Sequence, residues 1–186
     1  RHSIIGKTVG IIGAGAIGTA VAKLCSLCGM RAIGVRHSPE RGAPEGFEKI
    51  WGVDGLPHLL ASANYVVLAA PLTSETRHLL GAAEFAMMKP GASLINIARG
   101  AMVDEETLIA ALREKKIAGA FLDVFQNEPL PAESPLWELD NVFMTPHISG
   151  NFEQYVERVG AQFANNLAMY LRGEALLNVV DKRRGY

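Results

Sequence analysis

Short apolar runs alternate along the chain with longer segments of mixed polarity, a pattern that predicts strands separated by helices. Residues 9–12 read as a buried strand, and residues 19–24 pattern as a helix. Arg31–Val35 is a second strand ending at Arg36, and 39–46, rich in Gly, Pro and Glu, reads as a loop. Residues 56–63 read as a short helix and 65–70 as a third strand, stopped by Pro71. Residues 82–88 are helical, Lys89-Pro90-Gly91 turns the chain, and 93–97 form a fourth strand. A helix over 104–115 carries acidic residues at its start, where the helix dipole favours them. Strands over 118–122 and 142–145 follow, then a long amphipathic helix over 152–172 closed by Gly173. This alternation predicts an α/β fold with a doubly wound parallel sheet, in one domain spanning residues 1–186 with a tail from about 174.

With 49% hydrophobic residues among 186, the chain has enough apolar material for one well-buried domain. A net charge of −1, with both signs interspersed, gives no argument for nucleic acid or an anionic membrane surface as a partner. No apolar run approaches the length of a membrane span, and no signal peptide opens the chain. The first residue is Arg1 rather than Met, which fits a piece of a longer polypeptide. Cys25 and Cys28 form a Cys-x-x-Cys inside the first helix, not at its start, and no further ligands stand nearby. They read as buried helix positions in a reducing, cytoplasmic compartment, and no metal site is expected.

The first strand runs into Gly13-Ala14-Gly15-Ala16-Ile17-Gly18 and then a helix, the context a Gly-x-Gly-x-x-Gly needs before it signals a dinucleotide. Gly13 permits the tight turn, Gly15 lets the backbone approach a pyrophosphate, and Gly18 lets helix and strand pack closely. The helix N-terminus, with Ala16 and Ile17 in its first turn, supplies unpaired N–H groups for the phosphates.

In an open parallel sheet the ligand crevice lies beyond the carboxyl ends of the strands. The fourth strand is followed by Ala98-Arg99-Gly100, the fifth by Asp123 with Glu128 soon after, and the sixth by Pro146-His147. Hydride transfer between nicotinamide and a carbonyl needs a proton delivered to the oxygen, work suited to histidine. A carboxylate beside it favours the imidazolium, and a guanidinium grips a carboxylate through two parallel hydrogen bonds. On pattern alone the plainer alternatives stand beside this one: His147 capping a strand, Arg99 a surface charge, Glu128-Pro129 a turn. His2, His58 and His78 read as surface residues, and His37 lacks the placement of His147.

The run from Met88-Lys89-Pro90-Gly91 through Asn96-Ile97-Ala98-Arg99-Gly100 to Val103-Asp104 resembles the D-isomer-specific 2-hydroxyacid dehydrogenases. Leu122-Asp123-Val124-Phe125-Gln126-Asn127-Glu128-Pro129 and Met144-Thr145-Pro146-His147 resemble them too, and the likeness spans residues 6–181. The resemblance implies that Arg99 binds a 2-keto acid through its carboxylate and carbonyl, that His147 is the general acid/base, and that Glu128 pairs with His147. It also implies that Asp123 contacts the nicotinamide side, and that Ala70, Pro71, Ile97, Ala98 and Gly150 line the cofactor. Ser134-Pro135-Leu136-Trp137 looks most like the glyoxylate/hydroxypyruvate reductase branch. The nicotinamide-sensing C-terminal-binding-protein corepressors share this pattern and form the alternative, although no charged tail or low-complexity arm accompanies it here.

Two features depart from the family. Asn151-Phe152-Glu153 stands where a threonine is usual, and nothing corresponds to the family's N-terminal substrate domain, which walls the other side of the cleft. The chain alone is therefore expected to bind cofactor yet turn over little keto acid. After the second strand, where NAD enzymes carry an acid for the ribose hydroxyls, stand Arg36, His37 and Ser38. A guanidinium and a hydroxyl suit a 2′-phosphate, so NADP(H) is expected over NAD(H). The long helix carries apolar positions that a partner subunit or the missing domain would cover, and the resemblance implies a homodimer.

Overall fold

The computed structural model describes residues 3–183, apart from the side chain of Arg41. His2 and the last three residues of the expected tail lie outside the described residues. The chain divides into two compact units, 1–146 and 147–186.

In the first unit, β1 (Thr8–Ile12), β2 (Arg31–Val35), β3 (Lys49–Trp51), β4 (Tyr65–Leu68), β5 (Ser93–Asn96), β6 (Gly119–Leu122) and β7 (Val142–Met144) form one sheet among the described residues. The order is β3-β2-β1-β4-β5-β6-β7, and every pairing is parallel. Parallel strands require crossovers, and these are supplied by α1 (Ala16–Leu27), α2 (Leu56–Ser62), α3 (Ala82–Met87) and α4 (Glu105–Arg113). The chain builds outward from β1 to β3, then returns to lay β4 on the other side of β1. That reversal makes the β1/β4 boundary the topological switch point of a Rossmann-type sheet.

Burial explains why the strand runs are apolar on both sides. Val9, Ile11 and Val67 pack with Ala22 beneath α1, while Leu68, Leu94, Leu122 and Ile12 join the larger core with Leu59, Phe85 and Leu108 from the helices of the other face. The clearest helix boundaries are those of α4. Asp104 caps α4 by accepting the Thr107 N–H at 3.0 Å, Glu105 and Glu106 follow in the first turn, and Arg113 stands in the last.

Three local findings differ from the sequence reading. The edge strand β3 falls in the stretch after the expected loop; three residues are too few to show a period, and Gly34 makes room for it, since a Cβ there would meet Ile50 Cδ1 at 2.7 Å. The expected loop itself contains a single 3-10 turn over Pro39–Arg41. The cysteines are less buried than expected: Cys25 is half-buried in α1, and Cys28, at the C-cap, is exposed. Both are free thiols, and burial, then the neighbouring Cys28, pushes the Cys25 thiol above its ordinary value.

The second unit consists chiefly of α5 (Tyr155–Leu171), shorter at its start than the pattern implied. Its end is a Schellman motif: Gly173 has φ +72, its N–H donates to the Tyr170 carbonyl at 3.0 Å, and the Glu174 N–H donates to that of Met169 at 3.0 Å. No residue of α5 is buried, and Val156, Val159, Phe163, Leu167 and Tyr170 form an exposed apolar stripe at helical spacing. Among the described residues, no helix is long and apolar enough to cross a membrane.

Candidate active site

Because the sheet is parallel, the ends of β1, β4, β5, β6 and β7 open at one edge of the first unit. At the end of β1 the work is done by missing side chains. Gly13 has φ +104, and a Cβ on it would meet Ala70 N at 2.6 Å, so the glycine turn lies directly on the chain leaving β4. A Cβ on Gly18 would meet the Gly13 carbonyl oxygen at 2.0 Å, which is why α1 can start this close to its strand. Around Gly15 nothing lies within 4 Å of a built Cβ. Gly15 is also the N-cap of α1, with no side-chain cap and no acidic residue in the first turn, while Ala16 and Ile17 are exposed. An uncapped helix N-terminus beneath open space fits the pyrophosphate of a dinucleotide, both sterically and electrostatically.

Arg36 follows β2, with its N–H donating to the Trp51 carbonyl at 3.1 Å and its guanidinium to the Gly42 carbonyl at 3.4 Å. His37 beside it is exposed and Ser38 half-buried. After β4, Ala70 is half-buried and Pro71 exposed, with the Pro71 carbonyl accepting the Thr76 hydroxyl at 2.7 Å. Ile97 packs against the cluster beneath α1, and Ala98 is buried.

The turns beyond β5 and β6 are shaped by side chains instead. Asn96, 1% exposed, ends β5; its carboxamide oxygen accepts the Ala98 N–H at 3.0 Å and its Nδ2 donates to the Arg99 carbonyl at 3.1 Å. That clamp leaves Arg99 extended and its side chain exposed, with the guanidinium donating to the Ala98 carbonyl at 2.6 Å. The turn bearing Glu128 lies against the same segment: a Cβ on Gly100 would meet the Phe125 carbonyl at 1.9 Å. Glu128 Oε1 accepts the Phe125 N–H at 3.0 Å, and Glu105 Oε2, from the first turn of α4, accepts the Gln126 N–H at 3.1 Å. The structure thus sets the Arg99 and Glu128 segments against each other at Gly100 and Phe125.

Asp123, 4% exposed, stands between neighbouring strand ends, its N–H donating to the Asn96 carbonyl at 3.0 Å and its Oδ1 accepting the Thr145 hydroxyl at 2.5 Å. His147 and Gly150 belong to the second unit, where both are exposed and His147 has φ +53. A left-handed backbone at a non-glycine residue is uncommon and concentrates at functional positions. His58 and His78 are exposed, as expected. Among the described residues no cluster of three or more His, Cys, Asp or Glu side chains is placed to hold a metal ion. The clamp of Asn96 and the ties from Glu105 and Thr145 went unread in the sequence. The available signal was a polar residue at the last position of an apolar strand, since burial there demands partners.

The family model for the D-isomer-specific 2-hydroxyacid dehydrogenase NAD-binding domain matches residues 1–149, so the chain belongs to that family. A glyoxylate reductase of Thermococcus gammatolerans is 43% identical over 182 residues, covering 97% of this chain and 53% of the relative. A D-3-phosphoglycerate dehydrogenase of Methanocaldococcus jannaschii is 40% identical across 96% of this chain and 34% of its own length. Among solved structures, a D-isomer-specific 2-hydroxyacid dehydrogenase of Xanthobacter autotrophicus in complex with NADPH superposes with a TM-score of 0.92 at 42% identity, covering 100% of this chain and 75% of that one. The NADPH-dependent glyoxylate/hydroxypyruvate reductase of Sinorhizobium meliloti gives a TM-score of 0.92 at 31% identity, covering 100% and 59%. The chain spans about half the length of the glyoxylate reductases it matches.

Proposed function

We propose that this chain is the cofactor-binding and proton-transfer half of an NADP(H)-preferring D-2-hydroxyacid dehydrogenase that reduces a small 2-keto acid such as glyoxylate or hydroxypyruvate. The observation that carries the reading is the meeting of the Arg99 and Glu128 segments at the sheet edge that also presents the bare glycine turn. The bound nicotinamide supplies the hydride. Arg99 grips the substrate carboxylate and its carbonyl oxygen, which orients the carbonyl carbon and draws electron density onto that oxygen. In this reading His147 gives a proton to the oxygen, and Glu128 pairs with it and fixes the ring. Asp123 borders the nicotinamide end, Ala70, Pro71, Ile97, Ala98 and Gly150 line the cofactor, and Gly13, Gly15 and Gly18 with Ala16 and Ile17 receive its pyrophosphate.

Arg36, with His37 and Ser38, takes the 2′-phosphate of NADP(H). The relatives' named glyoxylate and hydroxypyruvate activities, and the NADPH found in a structural neighbour, support the choice of substrate class and cofactor. The apolar stripe of α5 supports a homodimer, and two free thiols, one of them exposed, suit the reducing cytoplasm. Titration of the chain with NADPH and NADH tests the reading: NADPH binds more tightly, and Arg36→Ala removes the difference. A preference for NADH that survives Arg36→Ala overturns the NADP assignment. Brisk NADPH oxidation with glyoxylate by this chain alone overturns the expectation that the other half of the cleft is needed.

A further inference from the structure

We propose that Thr145 is a positioning residue for the nicotinamide end of the site, acting through Asp123. The inference rests on the reading that Asp123 borders the nicotinamide. A carboxylate 4% exposed is costly unless its oxygens are hydrogen-bonded, so whatever pairs with it also sets the direction in which it points. Thr145 is fixed before it donates: its N–H bonds the Leu122 carbonyl at 3.0 Å, continuing the β6–β7 ladder by one residue. A hydroxyl has a single proton, and Thr145 commits it to Asp123 Oδ1 at 2.5 Å. The β-branched side chain is stiff about χ1, so a donor anchored at its own backbone holds the carboxylate plane. The Asp123 N–H is meanwhile held by the Asn96 carbonyl at 3.0 Å, and Thr145 supplies one of the bonds that orient the side chain. Three strand ends, β5, β6 and β7, are thereby laced through one residue, Asp123, by its N–H and its carboxylate.

The test compares each cofactor with its own truncated form, NADP+ with 2′-phospho-ADP-ribose and NAD+ with ADP-ribose, on the 186-residue chain. The ratio of the two dissociation constants reads the nicotinamide end alone. Thr145→Val, nearly the same shape without the donor, is expected to lower that ratio by about fivefold while leaving the truncated ligands within about twofold of wild type. Thr145→Ser, which keeps the donor, restores it. If the valine variant does not fold, Thr145→Ala gives the same comparison. Equal weakening of whole and truncated ligands marks a merely structural role and overturns the proposal. So does an unchanged ratio in Thr145→Val when Asp123→Asn lowers it. An unchanged ratio in Asp123→Asn itself overturns the underlying placement of Asp123, and the proposal with it.

Discussion

Two strand ends of the same sheet use opposite means to shape their turns. Beyond β1 the chain succeeds by omission: Gly13, Gly15 and Gly18 bring backbone against backbone and leave open space over an uncapped helix. Beyond β5 and β6 it succeeds by addition. Asn96 and Asp123, nearly the only polar side chains buried among the described residues, are held by hydrogen bonds, and those of Asn96 set the turn that bears Arg99. A phosphate is recognised by backbone N–H groups and a dipole, so side chains there are obstacles. A keto acid is recognised by particular side chains at particular angles, so these need a rigid support. The contrast teaches that one sheet edge can carry a turn defined by sterics and another defined by polar satisfaction.

Substitutions at the two ends break or sharpen that contrast. The largest effect is expected from Gly18→Ala, whose Cβ would stand 2.0 Å from a backbone oxygen that cannot swing away. Urea unfolding should register a loss of about 3 kcal/mol, and cofactor binding should fail with it. A variant as stable as wild type would remove the steric account of the glycine end. Next, Asn96→Ala deprives the Ala98 N–H and the Arg99 carbonyl of their partners. Two lost turn bonds, one partner fully buried, should cost about 2 kcal/mol in the same measurement. Full stability in this variant would mean the turn holds itself.

Gly15→Ala separates stability from binding. With nothing within 4 Å of the new methyl group, the fold should keep its stability to within about 0.5 kcal/mol, while NADPH affinity, read by fluorescence titration, falls more than about tenfold. Unchanged affinity would move the pyrophosphate elsewhere. The smallest effect is expected far from the crevice, at the opposite edge of the sheet. There the Arg31 guanidinium donates to the exposed carboxylate of Glu48 at 2.8 Å and holds it below its ordinary range. A depressed carboxyl stabilises above its unfolded pKa and loses that contribution as pH falls through the folded one. Glu48→Gln should therefore flatten the acid limb of a melting-temperature profile slightly and leave cofactor affinity unchanged. An altered affinity would mean that the two edges communicate.

Much of this protein was written into its local patterns. The apolar runs and glycine signature were enough for the alternating architecture and the bare turn, because strand period and turn chemistry each act over a few residues. The resemblance to a dehydrogenase family came from motifs equally local, and the family match over residues 1–149 bears it out. The three-residue edge strand β3 was not legible, since Lys49-Ile50-Trp51 becomes a strand only when β2 offers its edge and Gly34 its space. Nor were the ties from Glu105 to Gln126 and from Thr145 to Asp123, which join residues 21 and 22 positions apart. Sequence alone determined which polar residues follow the ends of the six strands legible in it. Only the tertiary structure decided which of those ends hold one another, because a buried polar atom takes its partner from whatever the sheet places beside it, and that neighbour is set by topology rather than by position in the chain.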